Sequence, residues 1–222
     1  MMDTVMKALH KHPIFQLLDE VHRMEFAQLA RPHDYRKGEF LCMQGEAWPY
    51  LFIVVKGLVR AYKDSEEGRS LLITNIYQTE IFWGIAFFEE DAPNPVRLEA
   101  YEPSQIYLWN RSQCLPLLNK YGSLSWAICR LLVQRMLYAS DIVEGLAFQP
   151  VASRLARLLL DEYPADQLAV ERRLTLDEMA ARIGSTREMV CRILYRFATQ
   201  GAIQINRTEF IFTDRQLLEK LA

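Results

Sequence analysis

Four arginines share the segment Arg182 to Arg196 with a single acid: Arg182, Arg187, Arg192 and Arg196 against Glu188. Within Ile183-Gly-Ser-Thr-Arg-Glu-Met-Val-Cys-Arg-Ile-Leu-Tyr-Arg-Phe197, the apolar Val190, Ile193, Leu194 and Phe197 recur at helical spacing. One stripe of a helix is therefore buried, and the charged residues project elsewhere. A surface helix favours acid near its N-terminus, where the macrodipole is positive. Arg187 stands in the first turn against that preference, as if something outside the chain wanted it there. The planar fork of arginine matches N7 and O6 of guanine in a major groove, and a carboxylate accepts from cytosine N4. A carboxylate is otherwise costly near DNA, so Glu188 beside Arg187 points to base reading rather than mere phosphate attraction. Ser185 and Thr186 fall at the helix entrance, where hydroxyls and free backbone N–H groups can hold a phosphate. Arg196, two turns on, is expected to meet a phosphate.

Neighbouring elements must aim this helix. Thr175-Leu-Asp-Glu178 has capping-box spacing ahead of Met179, Ala180 and Ile183. Gly184 interrupts, and Ser185-Thr-Arg-Glu188 has the spacing of a second box. Two capped helices joined by a short Gly-containing turn make a helix-turn-helix. Such pairs also occur as plain structural corners; the residue types of the second helix favour DNA. Gly201 ends that helix, and Ile203-Gln-Ile205 with Glu209-Phe-Ile-Phe212, linked by Asn206-Arg-Thr208, predicts a hairpin beside it, a wing. Val151 to Tyr163 reads as a helix and Pro164-Ala-Asp-Gln167 as a loop.

Further upstream the character differs. Up to about Arg31 the chain reads as short helical pieces anchored by Phe15, Leu17, Leu18, Val21, Phe26 and Leu29. From Tyr35 to about Asn110, short runs rich in Val, Ile, Leu, Phe and Tyr alternate with Gly-containing turns, which predicts a small β-sandwich or barrel. From about Leu124 to Phe148 the period becomes helical again: Ile128, Leu132, Met136, Ala139, Val143 and Leu146, widened by Leu131 and Ile142. At about 1.5 Å per residue this helix reaches roughly 35 Å. It serves either as a dimer seam pairing with its own copy or as a core helix packed on the β-domain, and periodicity alone favours neither.

The 222 residues suffice for one or two domains with proper cores, and 50% hydrophobic content excludes disorder. The longest apolar runs, Leu51-Phe-Ile-Val-Val55 and Ile81-Phe-Trp-Gly-Ile-Ala-Phe-Phe88, are too short to span a bilayer. The opening Met-Met-Asp-Thr-Val-Met-Lys lacks the layout of a signal peptide. A net charge of −2 argues against indiscriminate nucleic-acid binding without excluding a local basic face. Cys42, Cys114, Cys129 and Cys191 are scattered with no CxxC pair, which suits reduced thiols in a cytoplasm.

At this point the chain resembles the cyclic-AMP receptor protein and fumarate–nitrate reductase regulator (CRP/FNR) family of bacterial transcription regulators. Leu174-Thr-Leu-Asp-Glu-Met-Ala-Ala-Arg-Ile-Gly-Ser-Thr-Arg-Glu-Met-Val-Cys-Arg-Ile-Leu194 is similar to its recognition motif. Tyr50-Leu-Phe-Ile-Val-Val-Lys-Gly57 and the spaced glycines resemble its β-roll. The resemblance spans nearly the whole chain and implies an α+β protein. Its parts would be a double-stranded β-roll for effector sensing with N-terminal helices (1–123), a long dimerisation helix (124–148) and a winged helix-turn-helix (149–222). It also implies a homodimer on double-stranded DNA, with RNA polymerase as a partner and no membrane. Ser185, Thr186, Arg187, Glu188, Arg192 and Arg196 would hold a palindrome with G-containing half-sites similar to TGTGA.

The family's nucleotide pocket is where this sequence departs. Cyclic-nucleotide binders carry Phe-Gly-Glu and, about ten residues on, Arg-Ser/Thr-Ala. Here the first element is Trp83-Gly84-Ile85, and the second is Asn94-Pro95-Val96-Arg97-Leu98. An apolar side chain replaces the carboxylate, and the arginine is displaced along a strand whose faces alternate. Burying a phosphate without a well-placed arginine is costly, so cyclic AMP is not the expected effector. Arg135 and Ser140 fall at pocket-facing positions of the long helix, and each also fits a solvated or interface position. Trp83, Phe87 and Phe88 either line a pocket for an apolar effector or fill it.

No cofactor is expected. Iron–sulfur relatives gather cysteines near the N-terminus, and none precedes Cys42 here. Haem needs an axial ligand, yet His10, His12, His22 and His33 all lie at or before the start of the β-roll. A cupin-type enzyme would need a His-x-His metal site, and no histidine follows His33, so no catalytic or metal-ligating residues are assigned. A nucleotide-binding-like module acting on a protein partner is the alternative function; it would not need the Arg-Glu-x-x-x-Arg helix.

Overall fold

The computed structural model describes residues 2–163 and 169–222. The loop expected at Pro164-Ala-Asp-Gln167 lies outside the described residues. Contacts divide the chain into two compact units, one of Met1–Lys63 with Ile73–Tyr138, the other of Asp64–Leu72 with Ala139–Ala222.

The first unit opens with α1 (Met2–Lys11), α2 (Pro13–Gln16) and α3 (Glu20–Leu29). Then come β1 (Arg31–Tyr35), β2 (Phe40–Cys42), β3 (Tyr50–Lys56), β4 (Val59–Asp64), β5 (Ser70–Ile76), β6 (Ile81–Trp83), β7 (Arg97–Ala100) and β8 (Ser104–Asn110). These strands form two four-stranded sheets in the orders β1-β8-β3-β6 and β2-β7-β4-β5. The period of two in a strand explains the layering. Phe52 and Val54 of β3 and Ile106 and Leu108 of β8 pack with Leu98, Ala100, Val59 and Ala61 of the other sheet. Their neighbours Leu51, Ile53, Tyr107 and Trp109 enter a second core with the N-terminal helices. Both faces of β3 are thus buried, which is why Leu51–Val55 reads as an unbroken apolar run rather than an alternating one. Phe15, Phe26 and Trp109 make the centre of that second core, with the Trp109 indole N–H donating to the Phe26 carbonyl at 2.9 Å.

Not every expected anchor is buried. Phe15, Leu18 and Phe26 are, but Leu17 is 56% exposed and Val21 73% exposed. Both face outward on the short helical pieces, Leu17 at the end of α2 and Val21 on α3.

Helix α4 (Arg111–Lys120) precedes the long α5 (Gly122–Phe148). Two stripes run along α5. Leu124, Ala127 and Ile128 are buried in the core, and Leu131 and Leu132 pack against it. Trp126, Cys129, Val133, Met136, Ser140, Val143 and Ala147 repeat at spacings of three and four, all exposed. The stripe expected from sequence merged the two: Ile128 and Leu132 face the core, whereas Met136 is 64% and Val143 65% exposed. A helix with a buried back and an apolar front gives both periodicities at once.

The second unit contains α6 (Val151–Glu162), β9 (Ala169–Glu171), α7 (Leu176–Ile183), α8 (Arg187–Thr199), β10 (Ile203–Ile205), β11 (Glu209–Phe212) and α9 (Arg215–Leu221). Its three-stranded antiparallel sheet has the order β10-β11-β9. Strand β9 has too few apolar residues to be read from sequence and forms by pairing Val170 with Phe210. Leu155, Leu159, Tyr163, Met179, Val190, Phe197, Phe210 and Leu218 fill a core of their own.

Candidate nucleic-acid interface

Helix α7 starts with a complete capping box: the Thr175 hydroxyl accepts from the Glu178 N–H at 3.1 Å, and the Glu178 carboxylate accepts from the Thr175 N–H at 2.9 Å. It ends at Gly184, whose φ of 61° and ψ of 51° put it in the left-handed region that glycine adopts without strain. Only Ser185 and Thr186 then separate it from α8. The second box expected at Ser185 and Glu188 does not form. Thr186 is the N-cap instead, accepting from the Met189 N–H at 3.2 Å. That register puts Met189, with no carboxylate, at the third helical position, so the cap is one-sided.

The buried stripe of α8 is the expected one: Val190, Ile193, Leu194 and Phe197. Its opposite side exposes Arg187, Glu188, Arg192, Tyr195 and Arg196 together, with Ser185 and Thr186 half-buried at the entrance. At 1.5 Å per residue Arg187 and Arg192 lie about 7.5 Å apart along the axis, roughly two base-pair rises at about 3.4 Å each. Tyr195 was not singled out from sequence, yet it is 67% exposed near the middle of this face. Its position three residues beyond Arg192 and eight beyond Arg187 was the available signal.

The charges on this face are of two kinds. A guanidinium nitrogen of Arg187 donates to the Asp177 carboxylate of α7 at 3.0 Å. The first-turn arginine therefore has a partner inside the chain, which offsets the unfavourable macrodipole. Arg182, by contrast, is turned away from the face, half-buried and paired with Glu162 at 2.5 Å. Among the described residues, the side chains of Arg192 and Arg196 make no hydrogen bond or ion pair, nor does that of Arg207 at the exposed tip between β10 and β11. Arg172 stacks over the Phe210 ring at 5.0 Å and donates to the Asn206 carbonyl at 3.4 Å, bracing the wing that carries Arg207. Glu188 is held below the usual carboxylate range by its own backbone N–H and then by the Thr186 hydroxyl. It stays an acceptor-only anion, the form that cytosine N4 requires.

The residues expected at an effector pocket do not all come together: Trp83, Gly84 and Ile85 follow one another from the end of β6 with Arg135 nearby, and Arg97 does not join them. Trp83 is buried in the first unit's core, stacked on Phe82 with ring centroids 5.4 Å apart. Gly84 lies so close under Trp48 that a β-carbon would sit 2.0 Å from the Trp48 carbonyl oxygen. Ile85 begins a short 3-10 helix, Ile85–Phe87, and its N–H donates to the Asn94 side-chain oxygen at 3.3 Å. Asn94, buried, donates in turn to the Val96 carbonyl at 2.7 Å. These two hydrogen bonds tie the Ile85 turn to the segment that leads into β7.

Arg97 is on the opposite face of β7 from the core residues Leu98 and Ala100. There it ion-pairs with Glu99 and stacks 4.5 Å from Tyr62 and 5.4 Å from Phe40. It does not join Trp83, Gly84 and Ile85. Arg135 packs over the Phe82 ring at 5.8 Å, and its Nε is shielded without an acceptor among the described residues. Ser140 falls in the second unit, exposed at a front position of α5. Phe52, Phe82 and Trp48 occupy the space between the sheets, with ring centroids 5.7 and 6.2 Å apart.

Among the described residues no group of His, Cys, Asp and Glu converges as a metal site, and no helix is long and apolar enough to cross a membrane. Burial pushes the Cys114 thiol up to about 12 and the Cys42 thiol to about 11, both away from reactivity.

A β-roll followed by a long helix and a winged helix-turn-helix defines a DNA-binding regulator. Residues 32–121 match the cyclic nucleotide-binding domain family, and residues 153–221 match the Crp-like helix-turn-helix domain family. The chain belongs to the CRP/FNR family of transcription regulators, and it is not an enzyme. It is similar to the CRP-like cAMP-activated global transcriptional regulator of Mycobacterium tuberculosis, 24% identical over 217 residues, covering 94% of this chain and 96% of that one. It is 26% identical over 176 residues to the cAMP-activated global transcriptional regulator CRP of Pasteurella multocida, covering 77% and 84% of the two chains. Its fold is that of the c-di-GMP responsive global regulator CLP of Xanthomonas campestris, with a TM-score of 0.76, 20% identity and coverage of 87% and 99%.

Proposed function

We propose that this regulator works as a homodimer that reads a palindrome with G-containing half-sites similar to TGTGA, and that its effector is not cyclic AMP. The exposed face of α8 carries the first part. Arg187, Glu188 and Arg192 would touch base edges, with Tyr195 against a base or sugar between them. Arg196, Ser185, Thr186 and Arg207 of the wing would hold phosphates. Residues 1–123 would form the sensing domain, 124–148 the dimer helix and 149–222 the DNA reader, acting in the cytoplasm beside RNA polymerase.

The front stripe of α5 supports the dimer. Trp126, Val133, Ser140 and Ala147 fall at one heptad position and Cys129, Met136 and Val143 at the other, the spacing of a two-stranded seam. The incomplete pocket supports the second part. The carboxylate position is Ile85, Arg97 is committed to Glu99 on the far face of β7, and the loop N–H is taken by Asn94. The Mycobacterium tuberculosis relative is cAMP-activated and the Xanthomonas campestris regulator is c-di-GMP responsive, so a different ligand within one fold has precedent. Selection from random duplex DNA tests the reading. It should return two inverted half-sites with centres roughly 34 Å apart; single, unpaired motifs would count against it.

A further inference from the structure

A groove of about 410 Å³ runs between α2 and the back of α5, wholly within the first unit. Its walls are apolar: Pro13, Ile14 and Leu17 from the N-terminal segment, Ala127 and Leu131 from α5. Three polar groups edge it, His12, Arg130 and Gln134. This is the size and composition of a small-molecule site, apolar with a few placed polar groups.

The polar edge has a definite character. His12 Nδ1 accepts the Ile14 N–H at 3.3 Å, so the neutral ring carries its proton on Nε2 and offers a donor. Burial favours that neutral ring. Arg130 is exposed, and among the described residues its side chain has no ion pair or hydrogen bond. Gln134, one turn further along the same side of α5, adds an amide. Donors outnumber acceptors, and the sole formal charge is positive.

None of these α5 residues belongs to the front stripe. Ala127, Leu131 and Gln134 fall on the flank and back of the helix, and Arg130 lies at the border between groove and front stripe.

We propose that this groove binds an amphipathic carboxylate, its apolar body against Ile14, Leu17 and Leu131 and its carboxylate on Arg130 with the His12 N–H. Apolar walls alone would accept any greasy molecule; the unpaired guanidinium selects the anionic head. The site is separate from the β-roll and does not depend on the DNA-reading proposal. A ligand there touches both α2 and α5, so it is placed to bias the helix that carries the dimer stripe.

Titration calorimetry of the full chain with decanoate, against decan-1-ol of equal length, tests this. Decanoate should bind saturably at one per chain, at least tenfold tighter than decan-1-ol. Arg130→Gln, at an exposed position that leaves the fold intact, should erase that tenfold preference. Leu17→Glu should weaken decanoate at least tenfold by placing a carboxylate in the groove. Equal decanoate binding by wild type and Arg130→Gln, or no saturable binding, overturns the proposal. So does a Leu17→Glu protein that sediments as a monomer where wild type is a dimer, because the groove then belongs to a second copy.

Discussion

Arg187 of α8 and Asp177 of α7 are joined by a 3.0 Å ion pair, with both side chains largely in solvent. The pair links the two helices of the DNA-reading motif and sets the resting state of its first arginine. To reach a guanine, Arg187 must leave or share Asp177. In the proposed complex Asp177 would also bring a negative charge close to the DNA. Exposed pairs of this kind are worth about 0.2–1 kcal/mol, so Asp177→Asn should tighten DNA binding by up to about fivefold, most on the selected sequence. Fluorescence anisotropy on a selected and a scrambled duplex measures this. Weaker binding by the variant would mean that Asp177 holds Arg187 in its reading position.

Assembly makes a second prediction. Cys129 is exposed at a front-stripe position of α5, so in a parallel pair the two copies of its thiol face each other across the axis. Mild oxidation should give a covalent dimer on a non-reducing gel, and Cys129→Ser should abolish it. Val133→Glu should sediment as a monomer with poor DNA binding. Leu132→Glu should instead lower thermal stability, because Leu132 packs on the first unit's core.

Cyclic AMP should bind very weakly or not at all. Ile85 offers no acceptor to a ribose hydroxyl, and Arg97 would have to abandon Glu99 and cross to the other face of β7 to meet a phosphate. Titration calorimetry yielding a micromolar dissociation constant would contradict this.

Much of this was legible in the sequence because helix capping, helical period and the Arg-Glu-x-x-x-Arg spacing are local. The helix-turn-helix, the wing and the extent of α5 are all set by residues within a few turns of one another. What the sequence hid depends on partners far along the chain. The ion pair of Arg187 needs Asp177 to lie beside it, and Tyr195 gains meaning only once the buried stripe of α8 is fixed. The two stripes of α5 overlap in sequence, and only the packing of Ile128 and Leu132 against the core separates them. Strand β9 exists because β11 pairs with it.

His12 should leave a signature in stability against pH. Burial lowers its pKa from 6.5 to about 4, so the folded chain keeps the ring neutral where the unfolded chain protonates it. Between those values the unfolded state binds more protons, and stability rises with pH across that window. It is fully present above 6.5 and lost as the pH falls toward 4. Allowing for partial solvent access, the loss from pH 7 to pH 5 should be about 1 kcal/mol. Urea midpoints of wild type and His12→Asn at the two pH values measure it, and the variant should lack this component.

Base reading by α8 is put to the test by binding-site selection on wild type, Arg192→Ala and Arg196→Ala. Losing a bidentate arginine contact should cost about 1–3 kcal/mol at its own base pair. Arg192→Ala should therefore lose preference at one position of each half-site and keep the rest. Arg196→Ala should retain the whole motif, bind all sequences more weakly and shallow the salt slope by about one unit. If Arg192→Ala selects the wild-type motif at every position, the face of α8 does not read sequence.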